Sequence, residues 1–371
     1  MNVGDSTSII ELVVHAIAFA LGIWLALRVL LSAIRAFILP RGSRDPIVGF
    51  VFRELRRVFN RVAPKTRPYR ERDRIFSYYA PVALAVLAVT WLILVMLGFT
   101  AIFWGLGGYT VGEAFRLSGS SLLTLGSSIP TTGVDATFTF IEAITGLGLA
   151  ALLVGYLPTM YAAYSRREVE VSLLEVWADR PASAATLLTR YHQRRRLEGL
   201  HDEWRRWELW FAEVGQSHTT LSAIAFYRSA QPEQSWIVAA GAVLDATALS
   251  RSLLDIPASW QADLTIRAGT VAVRRIADFF GIKYTLEPSP DDVTSVTREK
   301  FDAVASELEV AGLPLRADRD AAYHDFNGTR AAYDRPLLAL SRLVLAPEAL
   351  WNTWADRDEF GRFGPTPGSA G

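Results

Sequence analysis

The sequence predicts an all-α protein in two parts: a membrane-embedded helical module and, after it, a soluble α-helical C-terminal domain. Two observations lead to this fold class. The apolar stretches long enough to cross a bilayer lie before about residue 165, whereas most acidic residues follow it. Beyond about residue 168, helical segments alternate with turn signals, and alternating strand patterns are scarce. At 51% hydrophobic residues, the 371-residue chain is long enough for about two such units.

The composition excludes several classes of function. Lys plus Arg and Asp plus Glu both number 38, and this net charge of zero argues against a nucleic-acid-binding protein. The absence of cysteine excludes thiol nucleophiles, disulfides, cysteine-ligated zinc and iron–sulfur clusters. No two of the 5 histidines fall at a metal-ligand spacing on one helix face, so we expect neither a metal site nor a cofactor.

The first apolar segment, residues 9–40, predicts a transmembrane helix that is retained. Its core, VVHAIAFALGIWLALRVLLSAI, exceeds the about 20 residues that a bilayer core requires. It is too long for a signal-peptide core and has no basic stretch before it. Arg28 and Arg35 lie towards its C-terminal end, where we expect their side chains to reach lipid headgroups. Residues 1–40 are therefore assigned to an N-terminal transmembrane helix.

Residues 41–74 predict a basic connector at the cytoplasmic face of the membrane. Between residues 48 and 62, apolar residues recur at helical spacing and arginines fall on the other face. These arginines are Arg53, Arg56, Arg57 and Arg61. The pattern is typical of a helix that lies on a membrane surface, with its arginines on anionic lipids. A helix packed on the soluble domain would show a similar pattern.

Two further apolar segments, residues 75–104 and 138–164, predict a pair of membrane helices with aromatic residues at their ends. The basic connector precedes this pair, and Arg166 and Arg167 follow it. Because Lys and Arg accumulate in cytoplasmic loops, both flanks are expected in the cytoplasm. The topology then places the N-terminus outside and the C-terminal domain inside, in a multi-pass protein of the plasma or inner membrane.

Residues 166–354 predict a soluble cytoplasmic helical domain. Turn signals such as Asp179-Arg180-Pro181 separate its segments. The helical candidates are residues 169–177, 182–191, 197–214, 217–228, 235–253, 259–280 and 293–309. Three tryptophans recur every three residues in EWRRWELWF and are expected to pack between helices. The last residues, 355–371, are expected to be disordered.

The strongest functional signal lies between the second and third apolar segments. Residues 113–123, EAFRLSGSSLL, predict a helix of about three turns, which is too short to span a bilayer. The extended stretch TLGSSIP, residues 124–130, follows it. Non-helical backbone at membrane depth is tolerated only where it lines a cavity or is buried in protein. The order predicts a re-entrant pore helix, after which the backbone returns along a pore and offers carbonyl groups to a dehydrated cation.

Residues 75–165 resemble the potassium-channel pore superfamily in its bacterial form, which has two helices around a pore loop. Thr124-Leu125-Gly126 stands where that family has Thr-Val-Gly or Thr-Leu-Gly, and Ile129-Pro130 resembles its proline-containing exit. The resemblance implies an ion-channel-like pore domain over residues 75–165. It also implies a homotetramer around one pore, in which filter carbonyls replace the water around a monovalent cation such as potassium.

The filter-like segment departs from the family after its first glycine. The filter-like residues are Thr124, Leu125, Gly126, Ser127 and Ser128. The family continues with Tyr-Gly-Asp at the positions that Ser127, Ser128 and Ile129 occupy here. The second glycine of the family adopts a backbone conformation that serine reaches only at a cost. A less selective cation pore and a pore that no longer conducts both fit this degenerate filter.

The third apolar segment would be the inner, pore-lining helix. Family members bend at glycine or proline to open. The candidates for such a gating hinge are Gly146, Gly148, Gly155 and Pro158. Glycine equally permits close helix packing in membranes, and a proline can kink a helix without gating it. Glu142 lies near the outer end of this segment, where an acid would draw cations to a pore mouth. Hydration at the interface or an ion pair with Arg116 would also account for it.

Two functions of different classes follow from these patterns. The first is a cation channel subunit whose cytoplasmic helical domain regulates or assembles the pore. The second is a non-conducting, membrane-anchored scaffold or sensor in which the soluble domain carries the function. We do not expect an enzyme, because no acid–base or nucleophile set can be assembled from the soluble half.

Overall fold

The computed structural model describes residues 3–37, 45–194 and 197–347. The predicted disordered tail, residues 355–371, lies outside the described residues, as does the start of the predicted connector.

The regular secondary structure of the described residues is helical, as the sequence predicts, apart from one isolated strand-type bridge between Leu254 and Leu315. The α-helices are α1 (Val3–Phe37), α2 (Pro46–Val62), α3 (Tyr69–Phe76), α4 (Tyr79–Gly105), α5 (Val111–Leu122), α6 (Gly133–Ala178), α7 (Ala184–Gln193), α8 (Leu200–Thr220), α9 (Trp236–Ser252), α10 (Trp260–Phe280), α11 (Arg298–Val310), α12 (Arg319–Ala331) and α13 (Asp334–Val344). Two short 3-10 helices, Leu197–Gly199 and Ser222–Phe226, flank α8.

Three helical stretches of the described chain are long and apolar enough to cross a membrane, which confirms the predicted number. They are Ile9–Phe37, Tyr69–Gly105 and Gly133–Ala178. The second stretch combines α3 and α4. Large apolar side chains such as Trp24 and Ile144 are 63% and 71% exposed on α1 and α6. A lipid environment would solvate such surfaces without cost.

The chain folds as two compact units. The N-terminal unit comprises residues 1–67 and 75–162, and the C-terminal unit comprises residues 68–74 and 163–371. The short segment 68–74, which forms most of α3, thus belongs to the C-terminal unit although both of its neighbours in sequence belong to the N-terminal unit.

Glycines bring the helices of the N-terminal unit close together. Helix α1 lies along α4, and α4 lies along α5. A Cβ atom on Gly22 would stand 2.5 Å from the carbonyl oxygen of Gly98, and one on Gly105 would stand 2.6 Å from that of His15. Small residues at crossings of membrane helices allow this backbone approach, which replaces the hydrophobic drive that lipid does not provide.

A buried carboxylate fixes the start of α2. Asp45 caps this helix by accepting hydrogen bonds from the N–H groups of Ile47 and Val48. It also accepts hydrogen bonds from Arg28 at 3.0 Å and Ser32 at 2.7 Å. Burial alone would raise the pKa of Asp45, but these hydrogen bonds outweigh burial and hold the pKa below its usual value. The prediction that Arg28 reaches lipid headgroups is therefore wrong, because a protein carboxylate binds it.

Helix α9 forms the centre of the C-terminal unit, where all of its residues except Arg251 are buried. The three tryptophans of α8, Trp204, Trp207 and Trp210, are at most 3% exposed and belong to the same core. They pack between helices, as the sequence predicts.

An ionic network crosses this core. Arg330 of α12 donates hydrogen bonds to Asp245 of α9 and Asp334 of α13, and the Tyr333 hydroxyl donates to Asp245 at 2.8 Å. Burial opposes the charge of Arg330, but the two carboxylates outweigh it and keep the pKa of Arg330 above its usual value. The network links three helices, and removing one partner would leave a buried charge uncompensated.

Some helix boundaries differ from the sequence prediction. Helix α6 does not stop at the basic pair but continues without a break to Ala178, because no glycine, proline or turn signal interrupts it there. Residues 217–228 do not form one helix, since α8 ends at Thr220 and a 3-10 helix follows. Helices α12 and α13 have no counterpart among the predicted segments.

Candidate functional site

The short helix α5 begins at a capping box. The Thr110 hydroxyl accepts a hydrogen bond from the N–H group of Glu113 at 3.3 Å, and the Glu113 carboxylate accepts one from the N–H group of Thr110 at 2.8 Å. This reciprocal pair satisfies N–H groups that the first turn leaves open. The helix ends at Leu122, close to the predicted range of residues 113–123.

The C-terminal half of α5 packs against interior positions of α4 and α6. Ser118 donates a hydrogen bond of 2.9 Å to the carbonyl oxygen of Met96, which lies about 13 Å from the end of α4 along its axis. The carbonyl oxygen of Leu122 lies against Gly146, about 20 Å from the start of α6. Helix α5 therefore runs from the ends of the two long helices towards the middle of their length.

Glu142 joins α6 to α5 and does not face an opening. Its side chain is fully buried, and its Oε1 atom lies 2.5 Å from the Ser118 hydroxyl oxygen. Arg116 is exposed and makes no ion pair with it in the described structure. The expectations of a mouth acid and of a pair with Arg116 are therefore corrected. Residue 142 lies on the face of α6 that α5 covers, about two and a half turns into the helix.

The segment after α5, residues 123–130, is called the return segment. Its N–H groups turn back towards one serine of α5. Leu125 donates to the Ser120 carbonyl oxygen at 2.8 Å, and Ser127 and Ser128 donate to the Ser120 hydroxyl oxygen at 2.9 and 3.1 Å. Two consecutive N–H groups that point to one acceptor form a backbone nest, a geometry that alternating right- and left-handed residues produce.

Two residues of the return segment have left-handed backbone. Thr124 has φ = 55° and Gly126 has φ = 68°. Glycine takes this conformation without cost, whereas a threonine pays roughly 1–2 kcal/mol for it. Such strain persists only where the surrounding structure enforces it, and it is frequent at functional sites.

The carbonyl side of the return segment is open. Within the part of the chain that the structure describes, no donor reaches the carbonyl oxygens of residues 124–129. The side chains of Leu125 and Ile129 are 66% and 84% exposed. Within the described residues, this segment thus combines carbonyl groups that have no donor with apolar side chains that are exposed.

Asp135 fixes the residues that directly follow the return segment. Its carboxylate is 3% exposed and accepts hydrogen bonds from the Tyr109 hydroxyl at 2.9 Å, the Thr131 hydroxyl at 3.0 Å and the Thr132 N–H group at 3.0 Å. These contacts tie the connection after α4 to the first turn of α6. Ser120 of α5 therefore holds the return segment itself, and Asp135 of α6 holds the residues that follow it.

The four hinge candidates occupy different environments. Gly146 is in contact with α5, where a Cβ atom would overlap the Leu122 carbonyl oxygen. Gly148 and Gly155 face open space. Pro158 lies within α6, which continues through it. Gly146 is thus a packing glycine, and the structure assigns no packing role to Gly148 or Gly155.

Helix α2 has the amphipathic character that the sequence predicts. Its Val51 is buried in the core of the N-terminal unit, and the Phe52 carbonyl accepts a hydrogen bond from Tyr79 of α4 at 2.9 Å. Arg56 is half-buried, and the exposed arginines are Arg53, Arg57 and Arg61. Apolar side chains that stay exposed are Phe50, Val58 and Val62. The helix therefore packs on α4 while it still presents both apolar and cationic groups outward.

The C-terminal unit contains a cavity of about 1170 Å³ between α8, α9, α10 and α12. His201 and Trp260 form an aromatic contact on its wall at 5.4 Å, and Arg251 pairs with Asp263 at 2.9 Å. The cavity is as large as the sites that bind small molecules in other proteins. In the described residues, no three His, Asp or Glu side chains converge as metal ligands would.

Comparison with known proteins identifies no relative: the chain matches no protein-family model, no curated protein and no solved structure.

Sequence reasoning did not identify the residues that hold the return segment. Ser118, Ser120, Tyr109 and Asp135 are polar side chains whose partners lie elsewhere in the fold. The signal for the two serines was present, since SGSS stands within a short helix whose other residues are largely apolar. Their acceptors and donors depend on the packing of α5 between α4 and α6, which no local pattern encodes.

Proposed function

We propose that the chain is the pore-forming subunit of a homotetrameric cation channel in the plasma or inner membrane. The observation that carries this proposal is the contrast between the N–H groups and the carbonyl groups of the return segment. The N–H groups of Leu125, Ser127 and Ser128 bond to Ser120, whereas the carbonyl oxygens of residues 124–129 have no partner in the described chain. Unpaired carbonyl groups are costly in hydrocarbon, so they need a water- or ion-filled space. A ring of such carbonyls replaces the hydration shell of a cation.

The direction of α5 supports a cation as the permeant species. Its capped N-terminus lies near the ends of α4 and α6, and its C-terminus lies against interior positions of both helices. The C-terminal end of a helix carries a partial negative charge. Four such ends directed at one axis would stabilise a cation at membrane depth.

Four copies around an axis would also cover exposed apolar surface. Helix α6 presents Ile144, Leu147 and Val154, each at least 59% exposed, and the return segment presents Leu125 and Ile129. Closed cyclic symmetry allows identical patches to be buried on every subunit. The resemblance to two-helix pore modules implies four copies.

The filter residues support weak ion discrimination. Ser127 and Ser128 bond through their N–H groups to Ser120, and they stand where the family that the sequence resembles has the Tyr-Gly pair of its filter. Only Gly126 supplies an unstrained left-handed residue in this segment. We therefore expect potassium and sodium to pass at comparable rates.

The remaining parts of the chain take supporting roles in the proposal. The N-terminus is placed outside, and the C-terminal unit is placed in the cytoplasm, where it regulates or assembles the pore. The arginines of α2 are placed on anionic lipid headgroups. The cavity of the C-terminal unit leaves room for a regulatory small molecule.

Cation flux into proteoliposomes tests the proposal, with two glycines as a matched pair. Gly126 and Gly107 both have left-handed backbone, at φ = 68° and 76°, and both have open space where a Cβ atom would stand. Gly126→Ala and Gly107→Ala therefore introduce the same kind of strain. Only Gly126 lies in the return segment, so we expect Gly126→Ala to change the potassium or sodium flux and Gly107→Ala to leave it as in the wild type.

The absence of flux from wild-type tetramers in any cation gradient would reject the conducting function. Equal effects of the two glycine substitutions would reject the role of the return segment. If the wild type carries no flux, the second function, a membrane-anchored scaffold or sensor built on the C-terminal unit, becomes the better account, and its cavity is the observation in its favour.

A further inference from the structure

One arginine of the C-terminal unit binds the segment that leads into α4. The Arg228 guanidinium donates hydrogen bonds to the Asp73 carboxylate at 2.7 Å, the Tyr69 hydroxyl at 3.2 Å and the Leu345 carbonyl at 2.8 Å. The side chains of Arg228 and Asp73 are 11% and 9% exposed. Tyr69 and Asp73 belong to α3, and only two residues separate the end of α3 from the start of α4.

The same stretch of chain holds α6 at the point where its apolar segment ends, 14 residues before the last residue of the helix. The Tyr164 hydroxyl donates to the carbonyl oxygen of Arg228 at 3.0 Å. One turn further along α6, the Arg167 guanidinium donates to the carbonyl oxygens of Ile224 and Tyr227, both at 2.9 Å. Arg167 is 2% exposed, so its side chain is buried within this unit.

A buried histidine also contacts Arg167. His218 of α8 is fully buried, and its Nε2 atom lies 3.1 Å from the Arg167 guanidinium. Arginine can only donate, so this ring nitrogen accepts and the imidazole is neutral. Burial, and then the charge of Arg167, hold the pKa of His218 well below its usual value. The charge of Arg167 is therefore held in a buried position just after the apolar segment of α6.

We propose that Arg228 is a positioning residue that couples the C-terminal unit to the gate of the pore. Its guanidinium fixes α3, and through it the start of α4, while its carbonyl group fixes α6 at Tyr164, where the apolar segment of that helix ends. A change in the loop of residues 221–235 then moves α3 and this part of α6 together. The effect on gating depends on the proposed channel function. The mechanical coupling depends only on the contacts of Arg228.

Burial gives this contact more influence than the other ion pairs nearby. Arg70 of α3 also binds the loop, through Glu233 at 2.7 Å, but its side chain is 77% exposed. Exposed pairs contribute little because solvent screens them. A buried pair that loses one partner leaves the other charge without compensation. Arg228 should therefore control the position of α3, and Arg70 should add little.

Three variants test the coupling in full-length protein. Arg228→Met keeps the length of the side chain and removes the charge and all three hydrogen bonds. Arg228→Lys restores a charged donor at a similar distance. Arg70→Met is the matched control, because Arg70 also joins α3 to the loop through Glu233 but its side chain is 77% exposed. Single-channel recording in planar bilayers and hydrogen–deuterium exchange of the detergent-solubilised protein are the two readouts.

We expect Arg228→Met to change the open probability about fivefold or more while the unitary current stays as in the wild type. Exchange should rise about tenfold in residues 69–76 and also rise at the start of α4. Arg228→Lys should recover most of both effects, and Arg70→Met should show neither. A variant that merely unfolds would raise exchange throughout the C-terminal unit, and that result would overturn the positioning role.

The two readouts separate the proposal from the channel function. If the wild type carries no current, the channel function fails, and the exchange at the start of α4 alone decides the coupling. If the wild type conducts but Arg228→Met alters neither exchange in α3 nor open probability, the coupling is wrong and the channel function stands. Raised exchange in α3 with an unchanged open probability would also overturn it.

Discussion

Gly146 is the residue at which close packing and a gating hinge can be told apart. A Cβ atom at this position would overlap the Leu122 carbonyl oxygen, whereas Gly148, half a turn away, faces open space. Gly146→Ala must displace α5, and we expect it to destabilise the protein by about 1–3 kcal/mol, as overpacked sites do. Gly148→Ala should be neutral or slightly stabilising, because alanine favours helix over glycine.

The midpoint of thermal unfolding in detergent, followed by tryptophan fluorescence, measures this difference. Cation flux of the same two variants shows whether the displacement reaches the return segment. Equal midpoints for Gly146→Ala and Gly148→Ala would mean that α5 does not lie against α6 at this depth.

For single residues, the sequence shows which side chains are unusual for their position better than it shows which residues they contact. Glu142 was correctly singled out as an unusual acid in a membrane helix, but its partner is Ser118 rather than a pore mouth. Arg28 was expected at lipid and binds Asp45 instead. Each error has the same cause: the partner lies on another helix, and helical periodicity says which face a residue occupies but not which helix covers that face.

Among the helices, α2 gives the clearest prediction of a surface that contacts lipid. Its exposed arginines lie beside exposed apolar side chains on a helix that also packs on α4. A membrane rich in anionic lipid should therefore stabilise the protein more than a neutral one. Replacing Arg53, Arg57 and Arg61 with glutamine should reduce this gain, and the measurement is the unfolding midpoint in neutral and in anionic nanodiscs.

The matched control replaces three exposed arginines of the C-terminal unit, Arg251, Arg267 and Arg275, with glutamine. This variant loses the same charge, so a general electrostatic effect would appear in both. If the two triple variants lose the same amount of lipid stabilisation, α2 is not the site at which anionic lipid acts.

Element types were predictable here to the extent that local patterns dominate them. Long apolar runs specify α1, α4 and α6, and the capping box with its short helical segment specifies α5. The end of α6 was not predictable from polarity, because Arg166 and Arg167 mark a change of environment and not a break in the backbone. The left-handed backbone at Thr124 and Gly126 was also not predictable, because it accompanies contacts to Ser120.

For the whole molecule, the division into two units agrees with the polarity of the sequence, but one detail does not follow from it. Residues 68–74 belong to the C-terminal unit although they precede α4. Tyr69, Asp73 and Arg228 explain this assignment through hydrogen bonds between residues more than 150 positions apart. Contacts of that separation are the part of the fold that single-sequence patterns cannot supply.

The claim on which the account depends is that four return segments meet around one axis. The chain contains no cysteine, so a single cysteine at Leu125 carries a spin label without background. Distances between labels in reconstituted protein test the arrangement directly. Fourfold symmetry predicts two distances, the diagonal about 1.4 times the side. Both should be shorter than the distances between labels at Trp24. This residue is exposed on α1, which is not one of the two helices that flank the pore loop in the proposed channel. A lack of inter-subunit distances, or labels at residue 125 farther apart than those at residue 24, would contradict the pore.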